Sequence, residues 1–482
     1  MQAFNPYLPS YEYVPDGEPY VFGDRLYVYG SHDRFNGDNF CLNDYVCYSA
    51  PLDDLGNWRY EGVIWHRNDD PRNTDGKLFM NAPDVALGRD GRYYLYYQLS
   101  ANTYTSVAVC DTPAGQYKFL GDVRYDNGKA VGTAKGDVFM FDPGIFCDDD
   151  GKNYLYTGFG PVGIMAFMLG SLRGNKCDGG YCFELADDMM TVIGEPKMVC
   201  PAKKPAAGTP YEGHEFFEAS SMRKIGDTYY FVYSSLLSHE LCYATSKYPD
   251  RDFQYGGTLV SIGDVGINGV TDPNKALNYL GNTHGGMVEV NGQWYIFYHR
   301  QTNQQKCCRQ GCAEKIYIAE DGSIAQAEVT SCGLNDGPLA GIGTYEARIA
   351  CNLSSKEGVF PYVKVRHQDK KGIHPYFTQT GEDRNDNPDQ YIANMCDGAW
   401  CGFKYFALDN PKSISVNVKG VANGEFVVST AAHGAPIATI KISPCSEYTD
   451  FSAECAPVAG TKALYFKYVG AGSFDFREFT LA

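Results

Sequence analysis

The sequence predicts an all-β chain, with a five-bladed β-propeller over residues 1–340 followed by a β-sandwich of jelly-roll type over residues 341–482. Three observations predict it. First, a glycine turn followed by alternating large apolar and aromatic residues occurs five times: GDRLYVYGSH at Gly23, GRYYLYYQLS at Gly91, GKNYLYTGFG at Gly151, GDTYYFVYSS at Gly226 and GQWYIFYHRQ at Gly292. Period-2 alternation marks half-buried strands leaving hairpins, and recurrence every ~60–75 residues in an aromatic-rich chain points to propeller blades. Second, a companion pattern of short apolar strand, turn and aromatic strand recurs in NDYVCYSAPLDDLGNWRYEG, SVAVCDTPAGQYKFLGDV and ELCYATSKYPDRDFQYGG. Third, past residue 340 the pattern gives way to short alternating strands such as SISVNVKG, EFVVSTAA and PIATIKIS, with no helical segment, as in a sandwich.

Composition narrows the partners. The chain has 482 residues and a formal net charge of −17. Phosphate backbones and anionic membranes are held by clustered lysine and arginine, so neither a nucleic acid nor a membrane surface is expected as a partner. A neutral polar ligand suits the 38 tyrosines better, because amphipathic rings serve both strand packing and sugar stacking. The start, MQAFNPYLPSYEY, lacks a basic segment followed by an apolar run, and no apolar run of about 20 residues exists. Seventeen scattered cysteines fit free thiols in a reducing compartment, and the expected location is cytoplasmic. Cys307, Cys308 and Cys312 cluster but lack a second pair of metal-ligand spacing. Oligomeric state is not readable.

Taken in order, the elements place acidic residues at repeated positions. Residues 1–35 lead through VPDGEPYVFGDRLYVYGSHD, where Asp16 lies between Pro15 and Gly17, ahead of the first aromatic strand, which is read as the innermost of its blade. A turn aspartate capping its own backbone is the commonest use of such a sequence; the alternative is a carboxylate facing the propeller axis. Asp33 follows this strand, and Asn81 precedes the second one in LFMNAPDVALGRDGRYYLYY beside Asp84; Asp33 and Asn81 are candidate substrate-binding residues. Asp142 in FDPGIFCDDDGKNYLYTGFG holds the position of Asp16 in its own blade, whereas residues 148–150 are explained by turn chemistry. The fourth blade carries Glu212, Glu215 and Glu218, of which Glu218 lies closest to the strand. The fifth carries His284 and Arg300. Residues 366–391 read as a charged surface loop, and Trp400 as a stacking candidate.

Carboxylates from three blades, each ahead of an inner strand, would converge on one end of the axis. Hydrolysis of a glycosidic bond needs such a set: a carboxylate base to activate water, a carboxylic acid to protonate the leaving oxygen, and a nearby like charge to keep that acid protonated. Acidic clusters also bind calcium, and a propeller can be a non-catalytic sugar-binding scaffold.

On the elements VPDGEPYVFGDRLYVYGSHD, NAPDVALGRDGRYYLYY, FDPGIFCDDDGKNYLYTGFG, FFEASSMRKIGDTYYFVYSS and NTHGGMVEVNGQWYIFYHR, the chain resembles glycoside hydrolase family 43 over residues 1 to about 330. The resemblance implies an enzyme that inverts anomeric configuration, with Asp16 as general base, Asp142 as the residue that raises and orients the acid, and Glu218 as general acid. It further implies His284 as a candidate to support a structural calcium ion through water at the propeller axis, no required cofactor, and Arg300 lining the sugar pocket. Two motifs depart from the family pattern. PDGEP in the first blade makes Glu18 a rival for the base, and EASSM in the fourth lacks a common Pro-Trp pair. KALYFKYVGAGSFDFREFTL and GAWCGFKYF make the C-terminal part similar to a family 6 carbohydrate-binding module. The implied substrates are carbohydrates of arabinose and xylose from plant polysaccharides, with an exo-acting α-L-arabinofuranosidase expected and a β-xylosidase as the alternative.

Overall fold

Each of the five repeat glycines stands at a hairpin tip in the left-handed backbone region, with φ of 63° at Gly23, 79° at Gly91, 87° at Gly151, 56° at Gly226 and 83° at Gly292. Lacking Cβ, glycine adopts this conformation without steric cost, so these residues fix where the chain reverses. The structure, a computed structural model, describes residues 1–359, 372–384 and 388–482. The hairpins seed five antiparallel sheets in chain order. The first contains Glu18–Phe22, Arg25–Tyr29, Tyr45–Pro51 and Arg59–Trp65; the second Asp84–Leu87, Tyr93–Tyr97, Ser106–Cys110 and Lys118–Asp122. The third contains Gly144–Cys147, Asn153–Phe159, Gly179–Leu185 and Val192–Pro201; the fourth Phe216–Ile225, Thr228–Ser235, Glu240–Ser246 and Gln254–Ser261. The fifth has three strands, Met287–Val290, Gln293–Gln301 and Arg309–Ile316.

The sheets close into a ring through their first strands. Tyr20 Oη donates to Asp84 Oδ1 (2.8 Å), and the Ile145 amide donates to Asp84 Oδ2 (2.7 Å), which links the first three sheets. A Cβ on Gly144 would lie 2.2 Å from the Ser220 carbonyl oxygen, so only glycine lets the third sheet approach the fourth. Arg223 Nε donates to the Met287 carbonyl (2.6 Å), and a parallel bridge between Gly17 and Gly285 joins the fifth sheet to the first. The aromatic repeat strands are therefore second in each sheet, not innermost as the sequence reading has it. The innermost strands are the segments just before each glycine, four or five residues long in four of the sheets and ten residues long, Phe216–Ile225, in the fourth.

That placement explains the aromatic runs. A strand buried on both faces shows no polar alternation. In Tyr93–Tyr97, Tyr94 and Tyr96 enter the core shared with the third sheet, while Leu95 and Tyr97 enter the core shared with the first. Five such cores lie between successive sheets, the last between the fifth and the first, which completes a β-propeller. Each fully buried large side chain contributes about 1.5–3 kcal/mol. A short helical segment that the sequence reading does not anticipate, Gly163–Ala166 continuing into Phe167–Arg173, is inserted between the second and third strands of the third sheet.

Beyond residue 338 the chain forms two six-stranded sheets over one core. Phe403, Phe406, Phe426 and Phe466 from one sheet meet Phe474, Phe476 and Phe479 from the other, with Phe403 and Phe479 ring centres 4.7 Å apart. The segment read as a charged surface loop is only partly one: Tyr376–Gln379 is a strand, and Phe377 is buried. Residues 366–371 and 385–387 of that segment lie outside the described residues. Trp400 is half-buried on the strand Trp400–Asp409, its ring 6.1 Å from that of Tyr465. All seventeen cysteines are free, and no helix among the described residues is long and apolar enough to cross a membrane.

Candidate active site

Asp16, Asp142 and Glu218 stand at the entries of the innermost strands of the first, third and fourth sheets, and all three line one cavity of about 460 Å³. Asp16 and Asp142 both adopt left-handed backbone, with φ of 58° and 49°, and Ala219 beside Glu218 has φ 68°. Positive φ in non-glycine residues is uncommon and gathers at functional sites, where surrounding structure holds it in place. The local PDG and DPG turns thus aim the two aspartates into the cavity.

Asp16 is held on several sides. Arg309 Nη1 donates to its Oδ1 (2.8 Å), His299 Nδ1 lies 3.3 Å from the same oxygen, and the Asp16 amide donates to His299 Nδ1 (3.2 Å). His299 must be neutral at that nitrogen to accept, and burial pushes its pKa down to about 3. Burial alone would raise the Asp16 carboxyl, yet the Arg309 charge, together with the smaller contributions of His299, His284 and a hydrogen bond with Ser31, more than offsets this, so it lies below the ordinary aspartate value. Glu218 takes the opposite course. Burial in the cavity, and then the charge of Asp16, raise it to about 8. Asp142 is pushed well above the ordinary range by burial, by Glu218 and by Asp16. Glu218 thus has carboxyl neighbours in both Asp16 and Asp142.

Arg309, which the sequence reading missed, organises this site. Its Nε donates to Asp33 Oδ2 (2.8 Å) and its Nη2 to Asp33 Oδ1 (3.0 Å), a paired arrangement that fixes the guanidinium while Nη1 reaches Asp16. Asp33 is therefore not a cavity residue as expected: it is fully buried beneath Arg309, and its Oδ1 also accepts the Cys41 amide.

Arg300 is likewise corrected. Strand alternation sends His299 toward Asp16 and its neighbour Arg300 to the opposite face. There Arg300 donates to the carbonyls of Ala350 (2.8 Å) and Arg348 (2.7 Å), and its guanidinium carbon lies 3.8 Å from the ring centre of Phe377. Arg300 joins the propeller to the C-terminal sheets, and burial lowers its pKa to about 10. Arg300→Met strands these two carbonyls and is expected to cost about 2 kcal/mol of stability, read from chemical denaturation, with kcat unchanged.

Asn81 lines the cavity as expected, its Nδ2 donating to Gln98 Oε1 (3.0 Å). Phe40, Phe141, Phe159 and Phe217 supply apolar wall, with Phe159 ring centres 4.8 Å from Phe141 and 5.3 Å from Phe217. Met165 brings the inserted helical segment to the rim, and Lys306 faces in beside Arg309. Asp84 and Glu18 lie outside the cavity lining, on the ring of first strands, where Glu18 Oε2 meets Ser221 Oγ (2.9 Å) and Arg223 Nη2 (3.1 Å). That leaves Glu18 badly placed as a rival base. Cys307 donates to the Gly37 carbonyl and Cys312 to that of Gln310, so these thiols point to separate partners.

His284 lines the cavity, with Nδ1 3.9 Å from Asp16 Oδ1 and 3.7 Å from Asp142 Oδ2. Burial pushes its pKa down to about 4. On its far side, His284 Nε2 and Glu18 Oε1 are buried 3.8 Å apart, neither with a hydrogen-bond partner. Calcium takes about six to eight oxygen ligands. One imidazole nitrogen and one carboxylate oxygen, with the Arg223 cation against the same carboxylate, do not make that donor set. The two atoms are spaced for a bridging water.

A closed ring of sheets carrying two carboxyls of opposed proton affinity in one cavity is an arrangement suited to hydrolysis of a glycosidic bond. The chain belongs to glycoside hydrolase family 43: the profile described as "Glycosyl hydrolases family 43" matches residues 13–324. It is 51% identical over 482 residues, 100% of this chain and 99% of the relative, to a protein from Thermoclostridium stercorarium named "Xylosidase/arabinosidase". A solved β-xylosidase/α-arabinofuranosidase from a compost microbial metagenome, in complex with xylotriose and described as a calcium-free form, is 25% identical with a TM-score of 0.51. That alignment covers 66% of this chain and 96% of the other. An arabinoxylan arabinofuranohydrolase from Bacillus subtilis shares the fold over 99% of this chain and 97% of its own, at 19% identity and a TM-score of 0.52.

Proposed function

We propose that the protein is an inverting, exo-acting α-L-arabinofuranosidase built on a five-bladed propeller, with Asp16 as general base and Glu218 as general acid. The observation that carries this reading is the split in proton affinity: Asp16 lies below the ordinary carboxylate range and Glu218 is raised to about 8 in the same cavity. Environments that push two carboxyls apart in this way mark an acid and a base. Asp16 takes a proton from water as its oxygen attacks the anomeric carbon. Glu218 delivers its proton to the glycosidic oxygen as the carbon–oxygen bond breaks, and the released sugar carries inverted configuration. Asp142, held beside Glu218, orients it. Cavity walls drawn from several sheets and from Met165 of the inserted segment support a pocket that takes a chain end.

The second reading, β-xylosidase, is supported by the relative whose name carries both activities. Hydrolysis of aryl α-L-arabinofuranoside and aryl β-D-xylopyranoside decides between them, and NMR of the first-formed product anomer tests inversion. Absence of hydrolysis on both would instead favour a sugar-binding propeller. The two C-terminal sheets we read as a sandwich of carbohydrate-binding type, with Trp400 and Tyr465 as the candidate stacking rings. Sugar binding that survives Glu218→Gln and is lost in Trp400→Ala would support that role.

A further inference from the structure

We infer that Asp383 of the C-terminal unit is a positioning residue for the cavity, so that this unit shapes the active site as well as accompanying it. The inference rests on the glycosidase reading of that cavity. Asp383 lies four residues past the strand Tyr376–Gln379. Its Oδ1 accepts the Phe35 amide (2.6 Å) and its Oδ2 accepts Asn43 Nδ2 (3.0 Å). These two residues stand at opposite ends of the segment 35–43, which brings Phe40 and Cys41 to the cavity wall. One carboxylate from the C-terminal unit therefore ties both ends of a wall-forming loop of the first sheet.

Asp383 is itself held in place. Gln379 Oε1 accepts Tyr13 Oη (2.7 Å), Gln379 Nε2 donates to the Glu382 carbonyl (3.3 Å), and Arg384 pairs with Glu12 at 3.1 Å. A third grip comes from Asn303. Its amide donates to the Phe377 carbonyl (2.7 Å), its Oδ1 accepts Thr378 Oγ1 (3.0 Å), and its Nδ2 donates to Asn36 Oδ1 (3.2 Å), next to Phe35 at the start of the loop. Inside the cavity, Lys306 and Arg309 lie over the Phe40 ring, at 5.2 and 4.8 Å from its centre. The strap thus acts on the wall that meets the sugar. Asp33, which holds Arg309 and through it Asp16, accepts the Cys41 amide and Asn43 Nδ2 (3.0 Å) from this loop, but its own amide also donates to the Tyr13 carbonyl (2.9 Å), outside the loop. Asp16 keeps its tie to His299 as well, so loosening the strap should weaken substrate binding more than it displaces the base.

The test compares Asp383→Ala and Asp383→Asn with Tyr405→Phe, which removes a different bond between the two units, from Tyr405 Oη to Glu328 Oε2 (2.7 Å). Asp383→Ala is expected to raise KM on the aryl glycoside about tenfold, as losing hydrogen bonds to a charged acceptor would, with kcat within about threefold of wild type. Asp383→Asn keeps one acceptor and should fall between. Site-resolved alkylation followed by mass spectrometry should find Cys41 and Cys307, both buried in the native chain, labelled faster in Asp383→Ala and unchanged in Tyr405→Phe. Wild-type KM and wild-type protection in Asp383→Ala would overturn the inference, as would equal effects in Tyr405→Phe. If the wild-type chain hydrolyses no glycoside, the proposed function falls, while the alkylation comparison still decides whether the strap exists.

Discussion

Glu218→Gln is expected to lose roughly 10²–10⁴-fold in kcat on an arabinose-containing oligosaccharide, and far less on an aryl glycoside with an activated leaving group. The difference follows from the assigned step. A sugar hydroxyl leaves poorly unless it is protonated, whereas an activated phenolate leaves without help. Equal loss on both substrates would remove Glu218 from the acid role. The pH profile supplies an independent check. With Glu218 raised to about 8, wild-type activity should hold through neutrality and fall as pH rises through about 8, a limb that the Gln variant lacks. The same shift affects folding. Between the unfolded value of 4.5 and about 8, the native state binds a proton that the unfolded state does not, so this group's contribution to stability is fully present below 4.5 and is lost as pH rises through about 8. Glu218→Gln should therefore be less sensitive to alkaline denaturation than wild type.

The parts of this protein that could be read from its sequence are those set by local chemistry. Turn glycines with positive φ and aromatic runs buried on both faces recur as strings, so five sheets could be counted before they were seen. Asp16 and Asp142 could be found because each follows the same local grammar at the entry to an innermost strand. What could not be read depends on parity and on long-range contact. Arg300 and His299 are adjacent in sequence, and only the pleat decides which of them faces Asp16. Arg309 carries no motif, because its importance comes from pairing with Asp33 across the ring closure between the fifth and first sheets. The sequence reading places the aromatic strands one position too far inward because four of the five strands ahead of the glycines are only four or five residues long, too brief to announce themselves. Asp383 is further from any local signal still, since its partners lie in the first sheet and it lies in the second unit.

Asp16→Asn is expected to abolish turnover on both activated and unactivated substrates to a similar degree, because water must lose a proton whichever group departs. Asparagine is the informative replacement. It tolerates the left-handed backbone that φ 58° requires, and its amide oxygen can still accept from Arg309 Nη1, so shape is kept while basicity is removed. Azide, a nucleophile that needs no deprotonation, should restore product formation from the activated substrate as a glycosyl azide of inverted configuration. A variant damaged only in folding would not respond to it. The substitution has a second expected effect, at Glu218. Burial and then the Asp16 charge are what raise that carboxyl, so removing the charge should lower the Glu218 pKa, read by NMR titration of the labelled carboxyl in Asp16→Asn. If it still titrates at about 8, Asp16 is not the charge that keeps Glu218 protonated, and the like-charge neighbour must be sought in Asp142.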